Sequence, residues 1–215
     1  MARAVKRRAY DNSRRQAQAR ATRAEVVAAA HRLFVEGGYS ATTIEAIAGA
    51  SGVPLGTVYR LFGSKRAILL SVLDVSFGGD DAPVAYGDRP AVQAALALTD
   101  ARNLLEAFAP LTRELLERSA PILDVLRSAA DADPEAAELY AEAQRQRYAG
   151  QCNNARVLAD RGQLSVSEQV AADIMFTLRS PDVFRSLIGE RGWSADQYER
   201  WLTRALQATL LERNA

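Results

Sequence analysis

The sequence predicts an all-α protein in two parts, a basic N-terminal module of short helices followed by a larger, acidic helical body. Three observations carry this prediction. Apolar residues recur at three- and four-residue spacing along nearly the whole chain, and no stretch shows the alternation of a strand. Charge divides along the chain. Residues 1–66 carry twelve Lys/Arg against four Asp/Glu, and the remainder carries fifteen against twenty-two, so the net charge of +1 hides a basic end on an acidic body. Finally, Gly78, Gly79, Pro83, Gly87 and Pro90 crowd one short segment, as in a loop between two parts.

The elements follow in order. Residues 1–20 hold Arg3, Lys6, Arg7, Arg8, Arg14, Arg15 and Arg20 against Asp11 alone, without apolar periodicity at first. They read as a mobile basic arm that becomes helical toward its end. Thr22-Arg-Ala-Glu25 has the form of a capping box, a hydroxyl followed three residues later by a carboxylate, and predicts a helix start. Val26, Val27, Ala30, Leu33 and Phe34 then make one apolar face, and Gly37-Gly38 ends the helix. Thr42-Thr-Ile-Glu45 is a second box, opening a short helix with Ile44, Ile47 and Ala48 inside. Ser51-Gly52 is a turn, Pro54 fits the first position of a helix reaching Leu61 or Phe62, and Ser64 caps another through Phe77.

In the body, the pattern predicts helices over about 91–118, bent at Pro110, and then over 121–130, 134–161, 165–179, 181–189 and 195–213. The domain reading is a basic arm at 1–20, a module of short helices at 21–66, and a larger helical domain at 67–215.

Residues 42–65 carry the functional signal. Two short helices around a tight turn, the second bearing a hydroxyl, a phenol and an arginine, form a helix-turn-helix suited to a DNA major groove. The N-terminal residues of such a helix meet base edges. Leu55, Gly56 and Thr57 stand there: Gly56 lets the backbone approach, and Thr57 offers a hydroxyl and a methyl. Tyr59 offers a phenol to phosphate, and Arg60 suits guanine or phosphate. Lys65 and Thr43 sit at helix starts, where amides and the helix dipole favour phosphate.

Phe34-x-x-Gly37-x-Tyr39-x-x-Thr42-Thr43, Ile47-Ala48, Gly52-Val53, Gly56-Thr57-x-Tyr59, Phe62 and Lys65 together resemble the TetR family of bacterial transcriptional regulators over about residues 20–70. The resemblance implies phosphate contacts for Thr43, Tyr59 and Lys65 and base-proximal positions for Leu55, Gly56 and Thr57. It implies a homodimer on a palindromic double-stranded operator, a repressor's mode of action, and a small-molecule effector inside the body. Two positions depart from the pattern. Pro54 stands where many relatives carry Ser or Thr, and Leu61 where they often carry His, which leaves the base code open.

For the effector site, Tyr140, Gln144, Tyr148 and Cys152 share one face of the long helix at four-residue spacing, with Leu98, Leu105, Phe108 and Leu111 as apolar wall. Ordinary interhelical packing is the competing reading of each. For the dimer, Tyr198, Trp201, Leu202, Ala205 and Thr209 make one face of the last helix, and Val170, Ile174 and Leu178 one face of an earlier one. Completion of the monomer core is the alternative.

Several classes are disfavoured. Cys152 is alone, so no intramolecular disulfide forms and a reducing cytoplasm is the expected compartment. With His31 also alone, no His/Cys metal site arises from one chain. Asp131, Asp133 and Glu135 read as helix-start chemistry. There is no Gly-rich phosphate loop or nucleophile elbow, so neither a cofactor nor an enzyme is expected. There is also no apolar run of membrane-spanning length and no secretory signal. A non-specific architectural DNA binder remains the rival to the regulator.

Overall fold

The structure, a computed structural model, describes the backbone of residues 2–80, 82 and 84–212 and the side chains from residue 15 onward. The described residues are helical with no strand. They divide into two compact units, 1–75 and 76–215. The division falls later than residue 66 because Ile68, Leu69, Val72 and Leu73 of the fourth helix are buried.

In the first unit, α1 spans Ala2–Gly37 without interruption. This corrects the arm and the capping box at Thr22. Residues 2–36 contain neither Gly nor Pro and are rich in Ala and Arg, which favour helix. Thr22 therefore lies inside the helix, where all backbone donors have helical partners. Of the basic residues in 1–20, Arg3, Lys6, Arg7, Arg8 and Arg14 lie outside the described side chains, and Arg15 and Arg20 are exposed. Val26, Ala30 and Phe34 are wholly buried, and Phe34 packs its ring 5.4 Å from that of Tyr39.

Helix α2 spans Ile44–Ser51, α3 Leu55–Phe62 and α4 Lys65–Gly78. The cap of α2 is Thr43, whose hydroxyl accepts from the Ala46 amide at 3.1 Å. Thr42, the expected cap, is buried and donates its hydroxyl to the Gly38 carbonyl at 2.8 Å. The first threonine closes the preceding turn, and the second starts the helix. Gly52 ends α2 at φ +70, a left-handed conformation that glycine adopts without strain. Pro54 precedes α3 as its cap and not as its first residue; its carbonyl accepts from Thr57 and Val58.

The second unit contains α5 (Pro90–Leu96), α6 (Ala101–Ala130), α7 (Pro134–Ala159), α8 (Glu168–Leu178), α9 (Pro181–Phe184, continuing as a π-turn through Glu190) and α10 (Ala195–Leu210). The expected helix over 91–118 is two helices, because Asp100 caps α6 by accepting from the Asn103 amide at 2.8 Å. Conversely, α6 runs through both Pro110 and Pro121. Each proline removes one intrahelical bond. Burial of Leu104, Phe108, Leu116, Ile122 and Leu126 along one side of the helix offsets the loss. Helix α6 packs on α7, α9 and α10, and α8 packs on α7 and α10. Ser167 caps α8, and Ser194 with Gln197 forms a complete capping box on α10.

Candidate DNA interface and interior polar cluster

Helix α3 has one hydrocarbon face and one bare face. Val58 and Phe62 are buried in the first unit, while Leu55 is 38% and Tyr59 45% exposed, with Gly56 and Arg60 exposed beside them. Positions 55, 56, 59 and 60 lie on one side of a helix. The burial of Val58 thus turns the predicted reading residues outward, and Thr57 sits half-buried at the edge. No side chain caps the start of α3, which leaves its first amides open. Thr43 is exposed at the start of α2, although its hydroxyl is engaged as the cap. The half-buried Lys65 donates its ammonium to the Tyr39 carbonyl at 3.0 Å and lies over the Tyr39 ring.

Two residues that sequence reasoning passed over shape this face. Arg23 lies over the Phe62 ring at 4.4 Å and donates to the Ser71 hydroxyl at 2.6 Å, tying α1 to the end of α3 and to α4. Its signal was hidden inside the misread box at Thr22. Glu45 sits exposed in the first turn of α2 and accepts a long contact of 3.5 Å from the Tyr59 hydroxyl. A carboxylate therefore stands beside a phenol that faces outward. His31, half-buried on α1, has its pKa lowered because burial penalises the imidazolium.

In the body, Leu105 and Phe108 are interior, and Tyr140 and Gln144 are half-buried on α7. Tyr148 and Cys152, expected on the same face, line an open groove of about 450 Å³ with Arg145, Ala149, Arg156 and Glu168. The Tyr148 hydroxyl donates to Asp173 at 2.8 Å. Four-residue spacing drifts around a helix over twelve residues, so the stripe leaves the interior. Leu98 is exposed between α5 and α6.

Gln144 belongs instead with Arg147 and Gln151, at three- and four-residue spacing. Arg147 donates to the Gln144 amide oxygen at 3.2 Å and to the Phe176 carbonyl at 2.6 Å, with its guanidinium over the Phe176 ring. Burial lowers its pKa to about 10. Gln151 accepts from Arg179, whose Nη1 lies 2.8 Å away. Arg179 is 7% exposed, and its Nε donates to the Thr112 hydroxyl at 2.8 Å. A lone arginine in the apolar run Met175-Phe-Thr-Leu-Arg-Ser-Pro was the available sequence signal.

The expected dimer face divides. Tyr198 and Leu202 are wholly buried in the core of the second unit, Tyr198 stacked edge-on against Phe184 at 5.1 Å, so they cannot present a surface. Every third or fourth residue of an amphipathic helix must face its own core, and these two do. Val170 is 43% exposed, and Ile174, Leu178, Trp201 and Ala205 are half-buried. Among the described residues there is no metal-binding cluster of His, Cys, Asp and Glu, and no helix long and apolar enough to cross a membrane.

Comparison with known proteins agrees with this geometry. Residues 26–72 match the sequence profile of bacterial regulatory proteins of the tetR family. No functionally curated protein matches the chain. Among solved structures, NalD, the secondary repressor of the MexAB-OprM multidrug efflux pump in Pseudomonas aeruginosa, is 22% identical, with a TM-score of 0.67 over 89% of this chain and 97% of that one. The SmeT–triclosan complex is 18% identical, with a TM-score of 0.68 over 89% and 92%. A Saccharomonospora viridis protein in complex with choline is 21% identical, with a TM-score of 0.64 over 89% and 98%. At these identities the structural likeness establishes the fold. The profile match across α1 to α4 makes residues 26–72 similar to the N-terminal domain of tetR-family regulatory proteins, and the fold is that of an N-terminal helix-turn-helix domain followed by a C-terminal helical domain.

Proposed function

We propose that the chain is a ligand-responsive repressor that binds a near-palindromic operator as a homodimer and releases it when a small molecule occupies the helical body. The observation that carries the DNA half is the outward face of α3, where Leu55, Gly56, Tyr59 and Arg60 stand clear of a core anchored by Val58 and Phe62. Thr43, Thr57 and Lys65 flank that face, and the basic balance of residues 1–66 supplies attraction to a polyanion. The partly exposed apolar residues Val170, Ile174, Leu178, Trp201 and Ala205 on α8 and α10 are the surface that a second copy would cover. Structural relatives solved with triclosan and with choline support a small-molecule effector, and the repressor NalD supports the sign of regulation. The ligand releases DNA only through its different affinity for the two states. The protein acts where the DNA is, in the cytoplasm.

Selection from random duplexes by the full chain tests this reading. The expected outcome is a palindrome whose half-sites lie about one helical turn apart, ~34 Å, bound at least ~10³-fold more tightly than random DNA. Selection with no consensus would leave only a non-specific, architectural binder.

A further inference from the structure

Arg179 is a cation inside the body whose hydrogen-bond partners are neutral. Its Nε donates to Thr112 on α6 and its Nη1 to Gln151 on α7, each at 2.8 Å, and its guanidinium lies 4.8 Å from the centre of the Phe108 ring. No ion pair among the described residues includes Arg179. Other arginines of the body are treated differently: Arg89, Arg113 and Arg185 each meet at least one carboxylate at 2.7 Å or less. Arginine does not shed its proton, so the interior carries an uncompensated positive charge.

The groups around it extend the same pattern. The electrostatic neighbours of Arg179 are the phenols of Tyr86 and Tyr198. Tyr198 is wholly buried, and its hydroxyl has no hydrogen-bond partner. Arg147, a second half-buried cation, feels Arg179 through space and has Tyr140 and the exposed Asp182 as its own neighbours of opposite influence. Asp182 pairs with Arg185 at 3.0 Å. Tyr86 is anchored separately. Its hydroxyl donates to the Leu111 carbonyl at 3.1 Å, and Arg118 and Glu114 of α6 are close to it. The end of α8, whose dipole favours a cation, accounts for part of this. However, Arg179 sends Nε and Nη1 to α6 and α7, away from the carbonyls of its own helix.

We infer that the interior of the body binds the carboxylate group of a small molecule, held by the Arg179 guanidinium and the unpartnered Tyr198 hydroxyl, with its apolar part against Phe108 and Leu105. A carboxylate answers both deficits together, as an anion for the cation and as an acceptor for the orphan donor. An amide or alcohol of the same shape answers only the second. The inference rests on the reading of the body as an effector site and names the chemical class of that effector.

Calorimetric titration of the full chain with benzoate and octanoate, each beside its primary amide, tests it. Both carboxylates are expected to bind at least tenfold more tightly than their amides. Tyr198→Phe removes only an unpartnered hydroxyl, so the fold survives, and it is expected to weaken carboxylate binding several-fold while leaving the amides unchanged. Arg179→Lys keeps the charge and part of the preference; Arg179→Met abolishes the preference. Amides that bind as well as the acids, failure of both carboxylates to bind, or full affinity in both Tyr198→Phe and Arg179→Met would each overturn the proposal. Adding the same compounds to the operator complex separates the two readings. Carboxylates that bind with the tenfold preference yet leave DNA bound keep the anion site and remove the effector role. A neutral compound that binds the body and releases DNA keeps the effector role and removes the anion site.

Discussion

The two units handle positive charge in opposite ways. The first keeps hydrocarbon inside, with Val26, Phe34, Ile47, Val58 and Ile68 wholly buried, and carries Arg60 on the bare side of α3. The second places Arg179 inside, against Thr112, Gln151 and Phe108, and surrounds it with phenols. A surface charge costs little to maintain and acts on whatever polyanion approaches it. A buried one is costly, and the cost is relieved when an anion arrives. On the proposed function, one unit meets its partner without changing, and the other changes its energy when a ligand enters.

The sharpest way to break this contrast is at the anchor of the reading face. Phe62→Ala removes a nearly buried ring that also carries Arg23 over its face. The expected cost is about 3–5 kcal/mol, read as a lower urea midpoint in far-ultraviolet circular dichroism together with loss of operator binding. Both tryptophans, Trp193 and Trp201, lie in the second unit, so their fluorescence should report a smaller change. Equal shifts in both signals would deny the first unit a core of its own.

Next in size is the outward cation. Arg60→Ala is expected to cost ~1–3 kcal/mol of operator affinity and to relax preference at one base position. The melting temperature should hardly move, because surface substitutions shift stability by about 0.5 kcal/mol or less. A large loss of stability with unchanged affinity would place Arg60 in the scaffold.

The inward cation should behave in reverse. Arg179→Met gives up the bonds to Thr112 and Gln151 but relieves the desolvation of an unpaired charge. The two effects offset, so ligand-free stability should stay within about 1 kcal/mol of the parent, with operator affinity unchanged. A loss of several kcal/mol in the same denaturation experiment would make Arg179 a structural staple between α6, α7 and α8.

A smaller effect tests the electrostatics of the outward face. Glu45 holds a carboxylate beside Tyr59, where a phosphate would approach. Glu45→Gln should strengthen DNA binding by a few tenths of a kcal/mol to about 1 kcal/mol, and the gain should fade as salt is raised. Weaker binding at every salt concentration would mean that Glu45 serves to orient Tyr59.

The helix-turn-helix geometry and the outward side of α3 were legible in the sequence because their signals are local. Turn glycine, hydroxyl cap and apolar spacing all lie within a few residues of the chemistry they position, and errors there were small, such as Thr42 for Thr43 as the cap. The body was less legible because its signals are distant. Nothing near Arg179 in sequence announces that Thr112, 67 positions earlier, and Gln151, 28 positions earlier, will meet its guanidinium. Tyr198 and Leu202 read as a surface stripe because periodicity shows that a helix has a buried face without saying what buries it. The length of α1 was missed for a third reason: a stretch without an apolar face can be helical on propensity alone, and periodicity is blind to it.

The smallest expected effect concerns the one titratable imidazole, in the hydrocarbon-filled unit. Burial holds the pKa of His31 below its ordinary value of 6.5. Between these two values the unfolded chain binds the proton more readily than the folded one. Stability is therefore full above pH 6.5, declines as the pH falls through that value, and reaches its lower level once the folded-state pKa has been passed. His31→Gln should flatten this part of the stability profile, measured by urea denaturation from pH 7.5 to 5, while leaving operator affinity at pH 7.5 unchanged. The same slope in the variant would assign the acid sensitivity to carboxylates. Asp74, whose pKa is raised chiefly by burial and held back by Arg23, has the opposite sign and does not supply that sensitivity, because its protonation favours the fold as pH falls. A slope that steepens in the variant would mean that protonation of His31 favours the fold, the reverse of what its burial dictates.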